Sequence, residues 1–383
     1  MKRAIVLAAG MVGSAIAMDL HAGGELAVTV ADRSDEALAR VGGRLGVQTL
    51  RADLADPEVL KRAVRDHDLV VGALPSFLGI TAMRAIIEEG KPCCDISFMA
   101  EDPVELGLGK LAEERGVTVV YDCGIAPGMS NMMAAYGAAQ LDACERIDIY
   151  VGGLPVVRRW PYEYKAPFSP CDVLEEYTRP ARLVEHGQVV VREALSEPEL
   201  LDFAEVGTLE AFNTDGLRSL VRTLPAVPFM REKTMRYPGH IALMRALRET
   251  GLFSKEPITV GGQQVRPLDV TSALLFPKWA FEEGEADMTV MRVTVEGQRA
   301  GKPARLAWDL VDRLDPATGT RSMSRTTGFT ATAMARLLLA GRFVRPGVHP
   351  PEVPALEPGI FDAMLRELDA RGVRFTAQAD AAG

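Results

Sequence analysis

Cysteine is scarce and unpatterned. The five cysteines (Cys93, Cys94, Cys123, Cys144, Cys171) show no C-x-x-C spacing, and their odd number suits reduced thiols rather than a disulfide framework. The five histidines are scattered, with no H-x-x-x-H and no nearby cysteine, so no zinc site is expected and no metal is assigned. No apolar run approaches the ~18 residues that would span a bilayer. The N-terminus enters an apolar run at once, without the charged segment, apolar segment and cleavage site of a secretory leader, so a cytoplasmic location is expected. Basic charge is also short. Lys and Arg number 43 against 52 Asp and Glu, a net charge of −9, which argues against nucleic-acid and acidic-membrane partners but leaves room for a local basic pocket. Internal repeats are absent, and low complexity is confined to the tail Ala377–Gly383.

What is present reads as a soluble, core-forming chain. Its 383 residues suggest two domains. Residues 4–32, AIVLAAGMVGSAIAMDLHAGGELAVTVAD, are the most informative stretch. An apolar run from Ala4 to Ala8 meets glycines at Gly10 and Gly13, then an alanine-rich helical pattern, then a second apolar run ending at Asp32. That is the order of a strand–turn–helix–strand unit that binds a dinucleotide. Gly10 would let the backbone approach a pyrophosphate, Gly13 would let the helix lie close on the strand, and the helix N-terminus would face the phosphates. Asp32, 19 residues past Gly13, is placed to accept the adenine ribose hydroxyls. The first glycine of G-x-G-x-x-G is Ala8 here, so the turn must tolerate a methyl group. The plainer alternative is a buried βαβ unit whose glycines serve packing only.

Apolar runs at Val47–Ala52, Leu69–Ala73, Cys93–Ile96 and Val117–Tyr121 alternate with helical patterns near 35–41, 56–65, 77–89 and 103–115. Crossovers of this length predict a parallel sheet with helices on both faces. Ligands bind beyond the carboxyl ends of such strands. Those ends gather Ala9, Gly10, Met11, Val12, Asp32, Arg33, Asp53, Leu54, Leu74 and Pro75 as cofactor candidates, and Asp95 as a catalytic one. From about Glu145 to Leu314 the chain is richer in aromatics and prolines, with a loop-rich middle at 155–240 and strand-like alternation in Met288–Val295. A sheet inferred over 258–312 would leave an exposed edge or face, which suggests a homodimer contact. Thr326–Ala340 and Ile360–Arg371 read as helices separated by a proline-rich extended segment. The expected fold class is α/β: a Rossmann doubly wound parallel sheet plus a second α/β domain with a mixed, largely antiparallel sheet.

The central segments carry a more specific signal. YDCGIAPGMSN (121–131), VGGLP (151–155), YKAPFSP (164–170), EEYTRPAR (175–182), GTLEAFNTDG (207–216) and KTMRYPGH (233–240) resemble the saccharopine dehydrogenase-like family, and within it the bacterial and archaeal lysine 6-dehydrogenases. The resemblance covers nearly the whole chain. It implies that 1–125 and 326–383 form the dinucleotide-binding domain and that 126–325 form the substrate-binding and dimerisation domain. It also implies an NAD(P)-dependent reaction at a carbon–nitrogen bond of an amino-acid substrate.

Oxidising the ε-amine of lysine requires loss of a proton, hydride transfer and hydrolysis of an imine, with the α-carboxylate held at the far end. Arg179 and Arg236 suit the carboxylate, each inside a family-like motif. His240 is the expected proton acceptor, with Asp95 orienting the amine. Asp215, Tyr164 and Lys165 complete the substrate candidates. Against these stand plainer roles: interdomain ion pairs for the arginines, a hydrogen-bonded structural histidine, and a simple Asn-Thr-Asp-Gly turn. The alternative activities are a saccharopine or carboxynorspermidine-type dehydrogenase acting on a secondary amine, and a noncatalytic dinucleotide-binding regulator. NAD is expected over NADP because Asp32 would repel a 2′-phosphate, with Arg33 as the counterargument.

Overall fold

A computed structural model describes residues 1–381. The chain opens with β1 (Lys2–Leu7), α1 (Met11–Ala22), β2 (Leu26–Asp32), α2 (Asp35–Leu45), β3 (Gln48–Arg51) and α3 (Pro57–Val64). Next come β4 (Leu69–Gly72), α4 (Ser76–Glu88), β5 (Cys93–Asp95), α5 (Leu108–Arg115), β6 (Thr118–Val120) and α6 (Met129–Ala139). The middle holds β7 (Ala143–Pro155), α7 (Pro170–Thr178), β8 (Ala181–Glu185), β9 (Gln188–Arg192), β10 (Glu199–Phe203) and β11 (Gly207–Asn213). It continues with α8 (Leu220–Thr223), β12 (Phe229–Arg236), α9 (His240–Glu249), β13 (Ile258–Val260), β14 (Gln263–Val265) and α10 (Pro267–Trp279). After β15 (Asp287–Arg299) and β16 (Lys302–Arg313) come α11 (Ser322–Leu339), β17 (Gly347–His349), α12 (Glu352–Ala355), α13 (Ile360–Asp369) and β18 (Thr376–Ala381). Contacts divide these elements into two compact units, Met1–Gln140 with Ser324–Phe375, and Leu141–Met323 with the chain from Thr376.

Unit 1 is built on a seven-stranded, all-parallel sheet in the order β17-β6-β5-β4-β1-β2-β3. Its inner strands are continuous apolar runs because both faces are covered; Ala4 to Leu7 and Leu69 to Val71 are fully buried. Helix starts follow the sequence. Ser34 caps α2 by accepting the N–H of Ala37, and Asp56 caps α3, with Pro57 in its first turn. The strand order reverses between β4 and β1, the place where such sheets open a ligand crevice. The late helices are tied in by one buried carboxylate. Asp19 of α1 accepts Thr332 Oγ1–H and Arg336 Nη1–H from α11 and Arg371 Nε–H beyond α13, each at 2.6 Å. Strand β17, within the proline-rich segment read as merely extended, adds a seventh strand beside β6.

Unit 2 is a nine-stranded mixed sheet in the order β10-β11-β12-β7-β15-β16-β18, with the β8–β9 hairpin attached through β8 to β12. Only β12 and β7 run parallel; the other pairs are antiparallel. Helices α7, α9 and α10 supply Tyr177, Ile241, Met244 and Trp279 to an aromatic-rich core.

Several sequence expectations need correction. The segment 155–240 is not loop-rich, since short polar strands hid their alternation: β8 to β12 lie within it. Ile258–Val260 pairs only with β14, outside the main sheet. The edge expected over 258–312 is closed, because β15 is central and β16 is covered by β18. That pairing also moves the chain from Thr376 out of unit 1, and the low-complexity tail is strand up to Ala381. Finally, unit 1 runs to Gln140 rather than 125, because α6 stays packed there, with Tyr136 stacked on Phe361 at 4.1 Å.

Candidate active site

In unit 1, the chain leaves β1 through a strained turn. Ala8 has φ +90°, a conformation that favours glycine. A Cβ on Gly13 would stand 2.0 Å from the Ala8 carbonyl oxygen, so α1 can lie this close to the turn only with glycine there. Beside Gly10, by contrast, a Cβ would meet nothing within 4 Å, and no side chain caps the helix that starts at Met11. Open space against uncapped N–H groups at Gly10, Met11 and Val12 is the cradle a pyrophosphate needs. Ala9 differs from expectation, because its N–H is committed to Asp32 Oδ2 at 2.7 Å. Asp32 Oδ1 accepts Ser34 N–H at 2.8 Å, so loop amides fix the carboxylate at the end of β2. Arg33 beside it is exposed.

Asp53 is exposed and accepts the N–H of Ala55, Leu54 is buried, and Leu74 and Pro75 lead from β4 into α4. Asp95 ends β5 with only 4% exposure. Its carboxylate accepts Ser97 N–H at 2.8 Å and Ser97 Oγ–H at 3.2 Å, and it occupies the space a side chain on Gly72 would need. Burial, reinforced by Asp122, raises its pKa to about 7.

In unit 2, alternate residues of β12 send Glu232, Thr234 and Arg236 to one face. Arg236 is 1% exposed. Its donors reach Tyr177 Oη at 3.2 Å, the Met235 carbonyl at 3.0 Å and Glu176 at 2.6 Å, and its guanidinium lies 4.5 Å from the Tyr164 ring centre. Burial opposes the charge, but the tyrosines and Glu176 outweigh it and hold Arg236 protonated. A substrate carboxylate would have to displace Glu176, contrary to the role expected for Arg236.

His240 departs from expectation in the same way. Its Nδ1 faces the Tyr162 carbonyl at 2.8 Å and its Nε2 the Tyr177 hydroxyl at 2.9 Å. A carbonyl can only accept, so Nδ1 carries the proton and Nε2 accepts from Tyr177. Burial, with Arg236 nearby, lowers the imidazole pKa to about 3. Neither ring nitrogen is left open to take a substrate proton.

The other candidates fall into pairs. Asp215 takes two parallel hydrogen bonds from Arg182, at 2.8 and 2.9 Å, and is more than a turn residue. Lys165 bridges Glu285 at 2.7 Å and the Ala280 carbonyl at 2.8 Å. Arg179 lies 3.9 Å from Glu175; burial, with the charge of Arg218, lowers its pKa. Tyr164 packs edge-on against Trp279 and, with Tyr177, encloses Arg236. Sequence reasoning missed Glu176, Tyr177, Arg218 and Glu232. Glu176 and Tyr177 lie inside the quoted EEYTRPAR motif, whereas nothing local marks Glu232, a buried carboxyl with the loop after β11 folded against it.

Comparison with known proteins identifies the family and the fold. Residues 4–120 match the saccharopine dehydrogenase NADP binding domain, and residues 124–373 match the saccharopine dehydrogenase C-terminal domain. The chain belongs to the saccharopine dehydrogenase family. It is 22% identical to the saccharopine dehydrogenase [NADP(+), L-glutamate-forming] of Schizosaccharomyces pombe, covering 89% of this chain and 91% of that protein. It is 23% identical to the mitochondrial alpha-aminoadipic semialdehyde synthase of Bos taurus, covering 98% of this chain but 48% of that protein, so it spans about half of that relative. The fold matches the apo saccharopine dehydrogenase (L-Glu forming) of Saccharomyces cerevisiae with TM-score 0.82, 19% identity and full coverage of both chains. This family member is an NAD(P)-dependent oxidoreductase acting on a C–N bond, and its cofactor is a nicotinamide dinucleotide. Among the described residues no helix is long and apolar enough to cross a membrane.

Proposed function

We propose that this chain catalyses the NAD-dependent oxidative deamination of the ε-amine of L-lysine. The product is 2-aminoadipate 6-semialdehyde, which cyclises to piperideine carboxylate. The charge balance of unit 2 carries this reading. Arg236 is matched by Glu176, Arg182 by Asp215 and Lys165 by Glu285, while Glu232 adds a buried carboxyl. A substrate rich in carboxylates, such as saccharopine, would meet few uncommitted cations here. Lysine brings one carboxylate and two ammonium groups, and suits an acid-balanced region.

When bound, the dinucleotide supplies the hydride acceptor. Gly10, Met11 and Val12 would hold its pyrophosphate and Asp32 its adenine ribose, with Arg33, Asp53, Leu54, Leu74 and Pro75 as the further candidates at the strand ends. The remaining work falls to this chain's side chains. Asp95 takes the proton from the ε-ammonium, a task suited to a carboxylate whose pKa of about 7 lies close to that of the medium. Arg179 holds the α-carboxylate, since the donors of Arg236 are engaged. Tyr164 and Lys165 support the walls of that region.

The domain description names NADP, but a carboxylate at Asp32 would repel a 2′-phosphate, so NAD is the proposed cofactor. The proposal includes a homodimer formed through unit 2, and a cytoplasmic location in keeping with five free cysteines. A secondary-amine substrate is the second reading, favoured by the names of the relatives. The deciding experiment follows reduced nicotinamide by absorbance, with NAD or NADP against lysine, saccharopine and related amines. Turnover of saccharopine without turnover of lysine, or tighter binding of NADP than NAD, would overturn the corresponding part.

A further inference from the structure

We propose that helix α10 and the β13–β14 hairpin form the surface on which a second copy of this chain docks. The inference rests on the homodimer proposed above and names the part of unit 2 that makes it. Helix α10 is apolar on two sides. Pro267, Thr271, Leu275 and Trp279, four residues apart, are buried, the last two within the aromatic core. Val270, Ala273, Leu274 and Pro277 recur with the i, i+3, i+4, i+7 spacing of a second core-facing stripe, yet all four are exposed, Leu274 by 67%. Two apolar stripes call for two partners, and the described residues cover only one.

The hairpin repeats the pattern. Gly261 and Gly262, at φ +57° and +85°, make the two-residue turn that closes β13 on β14. Ile258 pairs with Val265 and Val260 with Gln263, which puts these four side chains on one face. Thr259 and Gln264 take the other face, where Gln264 Nε2–H donates to Thr259 Oγ1 at 3.0 Å. Among the described residues the hairpin pairs with no further strand, and Ile258 and Val260 stay exposed, Val260 by 54%. A two-stranded hairpin is marginal in water unless something packs on its apolar face. It is tied to the helix at its base. Arg266, between β14 and α10, donates to both carboxylate oxygens of Asp269 at 2.8 and 2.6 Å, and Leu268 N–H reaches the Ser254 carbonyl ahead of β13 at 3.0 Å.

Charge selects the occupant. Residues 257–280 contain one acidic residue, Asp269, against Arg266 and Lys278, in a chain of net charge −9. Asp269 is paired with Arg266 in any case. Two copies of an acidic chain repel each other, and least where the surface carries no excess acid. A strongly acidic or basic partner would find no complementary field here. A second copy brings the identical stripe. A two-fold axis across α10 sets the helices antiparallel and buries both stripes in one contact, with a hairpin at each end.

Sedimentation equilibrium of the full chain between about 0.1 and 50 µM reads the association. Wild type should be dimeric at the upper end. Val270→Glu combined with Leu274→Glu sets like charges across the axis and should weaken the dimer about a hundredfold or more, whereas Leu274→Met should keep it. Both positions are exposed in the single chain, so the double variant should match wild type in NAD affinity and in Tm at dilutions where both are monomeric. Hydrogen exchange gives the second reading: amides of 258–280 should slow as wild type is concentrated, and not in the double variant. A dimer that survives the double variant, without concentration-dependent protection in 258–280, would overturn this surface and leave the homodimer reading standing. A wild type still monomeric at the highest concentration would overturn both and leave the surface to an unlike apolar partner.

Discussion

Tyr177 gives its hydroxyl proton to Nε2 of His240 across 2.9 Å, while its oxygen accepts Arg236 Nε–H at 3.2 Å. With Nδ1 of His240 spent on the Tyr162 carbonyl, the imidazole is the neutral end of a closed chain of donors and acceptors. It therefore positions Arg236 and Glu176 through Tyr177 rather than moving a proton itself. In nitrogen NMR spectra His240 should appear as the Nδ1–H tautomer and should not titrate between about pH 8 and pH 5. His240→Ala should cost about 2–4 kcal/mol of stability, from the cavity and the orphaned tyrosine hydroxyl. The acidic limb of the pH–rate profile should stay where it is in the residual activity; a displaced limb would restore His240 as the proton acceptor.

The Arg236–Glu176 pair lends itself to a double-mutant cycle. Removing either partner leaves the other buried and uncompensated, so Arg236→Met or Glu176→Leu alone should destabilise by about 3–5 kcal/mol. The double variant should recover much of that loss, giving a coupling of a few kcal/mol in denaturant unfolding. Nucleotide affinity should be unchanged. Were Arg236 instead the carboxylate anchor, Arg236→Met would raise KM for lysine with little loss of stability.

The difference between what could and could not be read from the sequence follows from these pairs. The parallel sheet was legible because its inner strands are apolar runs, and the turn after β1 because Gly13 meets a steric demand that only glycine satisfies. The fifth strand end at Asp95 was legible for the same reason. The roles of His240 and Arg236 were not, because motif membership identifies chemistry-bearing residues but not their partners. Glu176 and Tyr177 reach Arg236 from a helix 60 and 59 residues away. Strands β8 to β11 were missed because they are short and partly exposed, so polar residues interrupt their alternation. Strand β17 was hidden by flanking prolines, which mark extended chain without saying what it pairs with.

The turn after β1 predicts opposite outcomes for two small substitutions. Ala8 holds φ +90°, which costs an L-residue about 1 kcal/mol or more relative to glycine. Ala8→Gly should therefore stabilise the protein by about 1 kcal/mol and raise Tm by a few degrees. Gly13→Ala adds the same methyl group where its nearest neighbour would be a backbone oxygen 2.0 Å away. It should lower stability by about 1–3 kcal/mol and weaken nucleotide binding by displacing the start of α1. Thermal unfolding with and without NAD measures both. A Gly13→Ala protein of wild-type Tm and NAD affinity would show that the close approach of turn and helix does not matter.

Asp95 sets activity against stability. Its ordinary pKa of 3.8 rises to about 7 in the folded chain, chiefly through burial. Between those values the folded state keeps a proton that the unfolded state releases, so its contribution to stability falls as pH rises from about 4 to 7. Above that window the protein carries a buried carboxylate whose charge opposes folding. Asp95→Asn removes the charge; its amide oxygen can still accept the Ser97 N–H, while its NH2 can donate to the Ser97 hydroxyl, which keeps the Leu74 carbonyl as acceptor. It should leave stability near pH ~4 unchanged and raise it by on the order of 2 kcal/mol near pH ~8. Turnover should move the other way, falling about a hundredfold or more as the proton acceptor is lost. Asp95→Ser, which also lacks the charge but takes away the carboxyl oxygen that accepts the Ser97 N–H, separates the two effects: equally poor turnover, with less of the gain in stability. If Asp95→Asn keeps wild-type kcat across the pH range, proton removal belongs to another group, and Asp95 is there to shape the end of β5.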